Sequence, residues 1–439
     1  MSWREYQRRL ERGDRRKSRL KMLPLVLIGL AVLAGGVGIF THLPRSTAAA
    51  PVVAACPSPA AAKSDAKELL RGLITPAMLA DAPQEVTVKQ GDAAWTLELS
   101  LKPALQRFIQ ERLERYKVDW AGVAVLDPKT GEVLALAQHS EKDPSLNDLA
   151  LRATFPAASV FKIVTSAAAL EEGGYRPDSR VDFCGDMYGV KRRQILRDSG
   201  PNEMTLRKAF AKSANAVFGR IAAQDLNGAL LENYAERFGF NAEIPFELPL
   251  AQSVAQIPKG DVVDEARTAA GFGKVTLSPL HGALMAAAVL NEGRMMEPYL
   301  VEKAVDAAGK VQFEGRPRVW LNPISADTAQ EMRKMMATTV TEGTAHRSFR
   351  RLSRDPVLSQ LQMGGKTGSL TGTNPPGKTE WFVGYARSND TQIAVGIVVV
   401  NDKYWRVKPA ELAKEIFEHG FGPAPILEAS ADKALPHRM

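Results

Sequence analysis

An uncharged stretch of nineteen residues, Met22 to Phe40, is rich in Leu, Val, Ile, Ala and Gly. That length matches a helix crossing the ~30 Å apolar layer of a bilayer, so the pattern predicts a transmembrane helix over 22–42. Residues 43–63 are rich in Ala and Pro and read as a stalk, and residues 64–95 carry a short helical stretch around Ala66–Ile74 followed by weak patterning. The whole of 43–96 is read as stalk and spacer. From Leu97 the periodicity becomes dense. Leu105, Phe108, Ile109 and Leu113 share one face of a helix over Pro103–Tyr116. The apolar runs Ala121–Leu126 and Glu132–Ala137, joined by an Asp-Pro-Lys-Thr-Gly turn, predict a hairpin. Helical period dominates the middle, with helices over Val160–Leu170, Leu206–Gln224 and Pro279–Leu290. Strands return at Met363–Leu370, Trp381–Ala386 and Gln392–Val400, closed by a helix at Pro409–His419. Strands at both ends and helices between them predict an α+β fold: an antiparallel sheet flanked by helices, with an inserted, mostly helical lobe and a cleft between the two. The domain is placed at 97–425 and a polar tail at 426–439.

Charge locates the partners. The formal charge is +8, but residues 1–21 hold nine Lys or Arg against three acids, leaving only +2 for the other 418 residues. Basicity is therefore a tail at 1–21, which fixes that end in the cytoplasm and exports the chain beyond the span; no nucleic-acid face is expected. The six histidines are scattered and no Cys/His cluster has metal-ligand spacing, so neither a metal nor a cofactor is expected. Cys56 and Cys184 are the only cysteines, and an exported setting permits but does not require their pairing.

Three short motifs carry the chemistry, and each has spare copies. Ser-x-x-Lys occurs at Ser18, Ser64, Ser159 and Ser430, but only Ser159 opens an apolar helical run. There Lys162 lies one turn away on the same face, and a helix N-terminus offers free N–H groups while disfavouring a cation. Ser-x-Asn occurs at Ser145 and at Ser213, the latter within the apolar stretch Ala209–Ala223, where a buried hydroxyl and the amide of Asn215 need partners. Lys-Thr-Gly occurs at Lys129, in the hairpin turn, and at Lys366, where Lys366-Thr367-Gly368 follows two glycines and leads into Ser369 and Thr371. A strand low in side-chain bulk can accept a peptide as an extra strand. One decoy points elsewhere: Gly372 to Thr379 fits GxxxxGK[ST], yet its two prolines remove N–H donors and a strand rather than a helix comes next.

Ser159-Val160-Phe161-Lys162, Ser213-Ala214-Asn215 and Lys366-Thr367-Gly368, in that order and with a short then a long gap, resemble the penicillin-binding protein transpeptidase domain and its serine β-lactamase relatives. Phe155-Pro156, Arg237-Phe238-Gly239-Phe240, Gly271-Phe272-Gly273, Asn291-Glu292-Gly293 and Glu342-Gly343-Thr344-Ala345 extend the likeness over roughly residues 97–425. The resemblance implies a β-lactamase/transpeptidase-like fold and a membrane-anchored, monofunctional, class B-like enzyme of the periplasmic face. Its substrates would be peptidoglycan stem peptides and β-lactams, with cell-wall synthesis proteins as partners. It implies Ser159 as nucleophile, Lys162 as base, Ser213 with Lys366 as proton relay, and Asn215 on the substrate amide. Lys366, Thr367, Ser369 and Thr371 would face the substrate carboxylate, Gly368 would leave room for the peptide, and the N–H groups of Ser159 and Ser369 would form the oxyanion hole. A D,D-carboxypeptidase with the same site is the alternative. A β-lactamase is disfavoured because no Glu-x-x-Leu-Asn segment is present, a non-catalytic wall-binding scaffold because the motif set is complete, and a β-lactam sensor because the expected single-span anchor carries no cytoplasmic domain.

Overall fold

The computed structural model describes residues 67, 70–90, 93–197, 199–389 and 391–422. The expected span over 22–42, the basic tail, Cys56 and residues 426–439 lie outside them. No helix among the described residues is long and apolar enough to cross a membrane.

In chain order, the elements that build the site and its support are β1 (Glu85–Gln90), β2 (Ala93–Leu99), α1 (Pro103–Tyr116), β3 (Trp120–Leu126), β4 (Val133–His139) and α2 (Lys162–Glu171). Next come α3 (Leu206–Lys212), α4 (Asn215–Gln224), α5 (Pro279–Leu290), β5 (Val301–Asp306), β6 (Val311–Glu314) and α6 (Ala326–Thr341). β7 (Gln362–Thr373), β8 (Pro376–Arg387), β9 (Gln392–Asn401) and α7 (Pro409–Gly420) complete the set. Five strands form one antiparallel sheet in the order β7-β8-β9-β3-β4. The C-terminal strands thus insert beside the N-terminal hairpin, and β7 is left as an edge.

Alternation along β3 explains the layers. Val123 and Val125 face one apolar cluster that includes Leu105, Ile109 and Leu113 of α1 and Ile416 and Phe417 of α7. Ala124 and Leu126 face the other, with Leu280, Leu284 and the rest of α5. A strand buried on both faces reads as a continuous apolar run, as β9 does over Ile393–Val400. The mixed α/β architecture with an antiparallel sheet agrees with the sequence expectation, and α1 and α5 have the predicted bounds.

Two expectations are corrected. The helix expected over Leu206–Gln224 is broken: α3 ends at Lys212, Ser213 is left-handed (φ 57°, ψ 41°), and α4 restarts at Asn215. The weak patterning over 64–95 resolves into strands, because β1 and β2 pair with β5 and β6 in a four-stranded sheet. Their partners lie some two hundred residues downstream, as in Leu97 opposite Ala304. Strand β2 runs through position 97, where the domain was expected to start. The nucleotide-like stretch Gly372–Thr379 is a hairpin tip, with Gly372 opposite Gly377 and Thr373 opposite Pro376.

Candidate active site

Ser159 sits in a single 3-10 turn, Ala158–Phe161, that runs directly into α2. In a 3-10 turn residues i and i+3 eclipse one another, which aligns Lys162 with Ser159 more closely than an α-helix would. Ahead of the turn, Phe155–Pro156 pairs with Leu277 and Thr276, Ala157 N–H donates to Val275 O (2.9 Å), and Trp381 Nε1–H donates to Pro156 O (2.9 Å). The approach to Ser159 is therefore pinned to the sheet and to the segment before α5. Gly271 is required behind it: its φ is +96°, and a Cβ there would lie 2.4 Å from Ala158 O.

Lys162 is fully buried. Its Nζ lies 2.8 Å from Ser159 Oγ, 2.8 Å from Asn215 Oδ1 and 2.6 Å from Ala270 O. Burial pushes its pKa well below the usual lysine value, and the charge of Lys366 pushes it further. A neutral amine has two N–H donors and one lone pair. The two oxygens that carry no hydrogen, Asn215 Oδ1 and Ala270 O, take both donors, so the lone pair is left to receive the Ser159 hydroxyl proton.

Lys366, on the edge strand β7, is also fully buried. Its Nζ lies 3.0 Å from Ser213 Oγ and 2.8 Å from Thr367 O. Burial lowers its pKa to about 7. Protonated, it has three donors, of which these contacts use two and leave one for an incoming anion. Each lysine also faces an aromatic ring at 5.5 Å, Lys162 that of Phe218 on α4 and Lys366 that of Phe210 on α3.

The turn between α3 and α4 brings these parts together. Its left-handed residue Ser213 aims its hydroxyl at Lys366, while Asn215 splits its amide, Oδ1 to Lys162 and one Nδ2–H to Tyr188 O (3.0 Å). Thr367 Oγ1 hydrogen-bonds Thr344 Oγ1, and Thr344 N–H donates to Ala211 O at 3.0 Å. Gly368 packs its backbone against Ala157 and Ala158, where a Cβ would come within 3.2 Å of Ala157 O. Ser369 and Thr371 are exposed further along β7. The structure thus joins Ser159, Lys162, Ser213, Asn215, Lys366, Thr367 and Gly368, with Ser369 and Thr371 continuing the same strand. Sequence reasoning had no role for the Ala270 carbonyl, Thr344 or the Tyr188 carbonyl. The first two lie in or beside segments already conspicuous as Gly-Phe-Gly and Glu-Gly-Thr-Ala. Among the described residues, no group of three or more His, Cys, Asp or Glu is placed to hold a metal ion. Two cavities, of about 440 Å³ beside Lys67 and Arg318 and about 420 Å³ beside Arg71 and Leu250, lie away from this chemistry.

Known proteins share this arrangement of elements. The chain is 28% identical over 315 residues to "Peptidoglycan D,D-transpeptidase PbpA" of Mycolicibacterium smegmatis, covering 63% of this chain and 61% of that one. It is 25% identical over 338 residues to "Stage V sporulation protein D" of Bacillus subtilis, covering 71% and 50%. The chain therefore spans only about half to three-fifths of the length of these relatives. Among solved structures, the D,D-transpeptidase domain of a peptidoglycan glycosyltransferase from Eggerthella lenta superposes with a TM-score of 0.61 at 25% identity, covering 73% of this chain and 82% of that one. Penicillin-binding protein A from M. tuberculosis, solved as an imipenem acyl-enzyme complex, has the same fold (TM-score 0.62, 21% identity, 74% and 79% covered). Residues 121–418 match the family described as "Penicillin binding protein transpeptidase domain", and the chain belongs to that family.

Proposed function

We propose that this chain is a membrane-anchored serine D,D-transpeptidase that crosslinks peptidoglycan stem peptides outside the cytoplasmic membrane and is acylated by β-lactams. The observation that carries the reading is the hydrogen inventory at Lys162, whose two oxygen partners leave its lone pair to Ser159. In the first step the Ser159 hydroxyl proton passes to Lys162 Nζ. Ser159 Oγ then forms a bond to the carbonyl carbon of the penultimate D-Ala. The oxyanion forms at the N–H groups of Ser159 and Ser369. Collapse breaks the amide bond, and the departing D-Ala nitrogen takes a proton through Ser213, beside Lys366. An amine from a second stem peptide attacks the acyl-enzyme, forming the crosslink and restoring Ser159. Edge strand β7 would receive the donor peptide as a sixth strand, with the free donor of Lys366 and the hydroxyls of Thr367, Ser369 and Thr371 at its terminal carboxylate.

Among the described residues, neither Lys162 nor Lys366 has a carboxylate partner that could activate water, which supports a long-lived acyl-enzyme. The basic tail and apolar run at 22–42 support the anchor and the periplasmic placement of the domain. The test is labelling of the full chain by fluorescent penicillin, followed by incubation with a D-Ala-D-Ala peptide and an amine acceptor. Stable labelling, abolished by Ser159→Ala, and a crosslinked dimer are expected. Labelling that survives Ser159→Ala would sink the site assignment. Hydrolysis without dimer would make the chain a D,D-carboxypeptidase, and rapid penicillin turnover a β-lactamase.

A further inference from the structure

The segment Gly185–Arg197 is fastened to the site and carries charge that nothing else in the described structure uses. Tyr188 O accepts from Asn215 Nδ2–H (3.0 Å), and Met187 O accepts from Ala216 N–H (3.0 Å). The buried Gln194 knits the loop from within: Nε2 donates to Cys184 O (2.7 Å) and Asp186 O (3.3 Å), and Oε1 accepts from Lys191 N–H (3.1 Å). Arg267 Nε–H donates to Val190 O (3.4 Å), adding a further tie to the body of the domain. With its inner groups satisfied, the loop turns outward Tyr188, 58% exposed, and the consecutive exposed residues Lys191, Arg192 and Arg193. The only acid described in this segment, Asp186, accepts the Tyr188 N–H at 3.0 Å within the turn.

Some exposed arginines pair with acids, as Arg180 does with Glu203, Arg207 with Asp178 and Arg316 with Glu314. Arg192 and Arg193 have no ion-pair or side-chain hydrogen-bond partner among the described residues. They stand four and five residues from the Tyr188 carbonyl, a span of at most about 18 Å.

We propose that this loop is the donor-recognition rim of the site. Arg192 and Arg193 bind a carboxylate carried by the donor peptide upstream of its D-Ala-D-Ala end. The proposal rests on the transpeptidase reading above. An amide held at Asn215 would lie beside this loop, whose Tyr188 carbonyl takes the same side chain's Nδ2–H, and planar guanidinium groups suit a carboxylate.

The test uses the full chain in detergent and two peptides ending in D-Ala-D-Ala, identical except that one bears a free upstream carboxylate and the other its amide. Wild type is expected to favour the carboxylate peptide about tenfold in kcat/KM, the scale of two partly exposed charge contacts. R192Q/R193Q should remove that preference and R192K/R193K should restore part of it. Penicillin labelling reports that the variant site is folded; if the double variant fails to label, R192Q and R193Q singly should each cost about threefold on the carboxylate peptide. Equal use of both peptides by wild type, or an equal loss on both in the variant, overturns the rim. Penicillin labelling without release of D-Ala from either peptide overturns the transpeptidase reading and this proposal with it.

Discussion

The tripeptide Lys-Thr-Gly stands at the tip of the β3–β4 hairpin and again inside β7, in settings that differ chiefly in water. At the tip, Asp127 Oδ1 accepts from Lys129 N–H (2.6 Å) and Thr130 N–H (3.1 Å), and Thr130 Oγ1 accepts from Glu132 N–H (3.2 Å). Gly131 is left-handed at φ +86°, with Glu297 O where a Cβ would sit, 2.2 Å away. The Lys129 side chain points into solvent. Every feature there closes a turn. In β7 the same three residues have no turn to make: Lys366 is dry, Thr367 meets Thr344, and Gly368 lies against the turn that carries Ser159. Dehydration, rather than residue type, converts an ordinary ammonium into one that titrates near neutrality.

The largest test of that contrast is deletion of each lysine. Lys366→Ala is expected to slow acylation by penicillin at least about a hundredfold, the scale of a lost charge contact and proton relay. Lys129→Ala should stay within about twofold of wild type. Stopped-flow labelling of both variants decides it, and equal losses would erase the distinction.

The second test is pH. Lys366 must be protonated to hold a carboxylate, and its pKa is lowered to about 7. Its contribution is therefore complete below that pH and falls about tenfold per unit above it. Lys162, whose pKa burial and the Lys366 charge push well below the usual value, is displaced toward its neutral, basic form. The kcat/KM profile for a carboxylate substrate should show an alkaline limb near 7. In Lys366→Arg that limb should vanish even though the rate is lower.

The glycines should dissociate in opposite directions. Gly131→Ala puts a side chain on a left-handed backbone against a carbonyl and is expected to cost about 2 kcal/mol of stability, with labelling kinetics of the folded protein unchanged. Gly368→Ala meets its nearest neighbours at 3.2 Å, so it should cost under about 1 kcal/mol yet slow acylation. Denaturant melts and labelling rates on the two variants provide the comparison.

A further test is stability against pH. Lys366 holds its proton to 10.5 when unfolded but only to about 7 when folded, so the unfolded chain carries the extra proton between those values. Stability should consequently rise with pH across that window. Lys366→Met should flatten the rise and be more stable at neutral pH, as denaturant melts across about pH 7–10 would show.

Much of this could be read in the chain because the informative elements are locally encoded. Helix α5 is apolar all round and bounded by Ser278-Pro279, whose serine caps it. The strands β8 and β9 announce themselves by β-branched and aromatic runs. The copies at Ser159, Ser213 and Lys366 stood out from their duplicates because the sequence sets them in apolar, periodic or glycine-rich runs. What escaped was set by distant partners. β1 and β2 acquire their sheet from β5, and no local pattern marks residues 301–306 as their partner. The Ala270 carbonyl, being backbone, leaves no signature of its own. The break at Ser213 is invisible because a serine rather than a glycine takes the left-handed position, held there by its place between Lys366 and two packed helices.

That break reaches beyond the hydroxyl it presents. A continuous helix from Leu206 to Gln224 would show this cleft only its flank, where backbone dipoles cancel. Cut at Ser213, it shows two ends of opposite sign. Lys366 contacts Ser213, at the carbonyl end of α3, which favours an ammonium ion; Lys162 contacts Asn215, at the amide end of α4, which favours a neutral amine. One left-handed residue thus sets up a field across the cleft that favours charge on Lys366 and a neutral amine on Lys162.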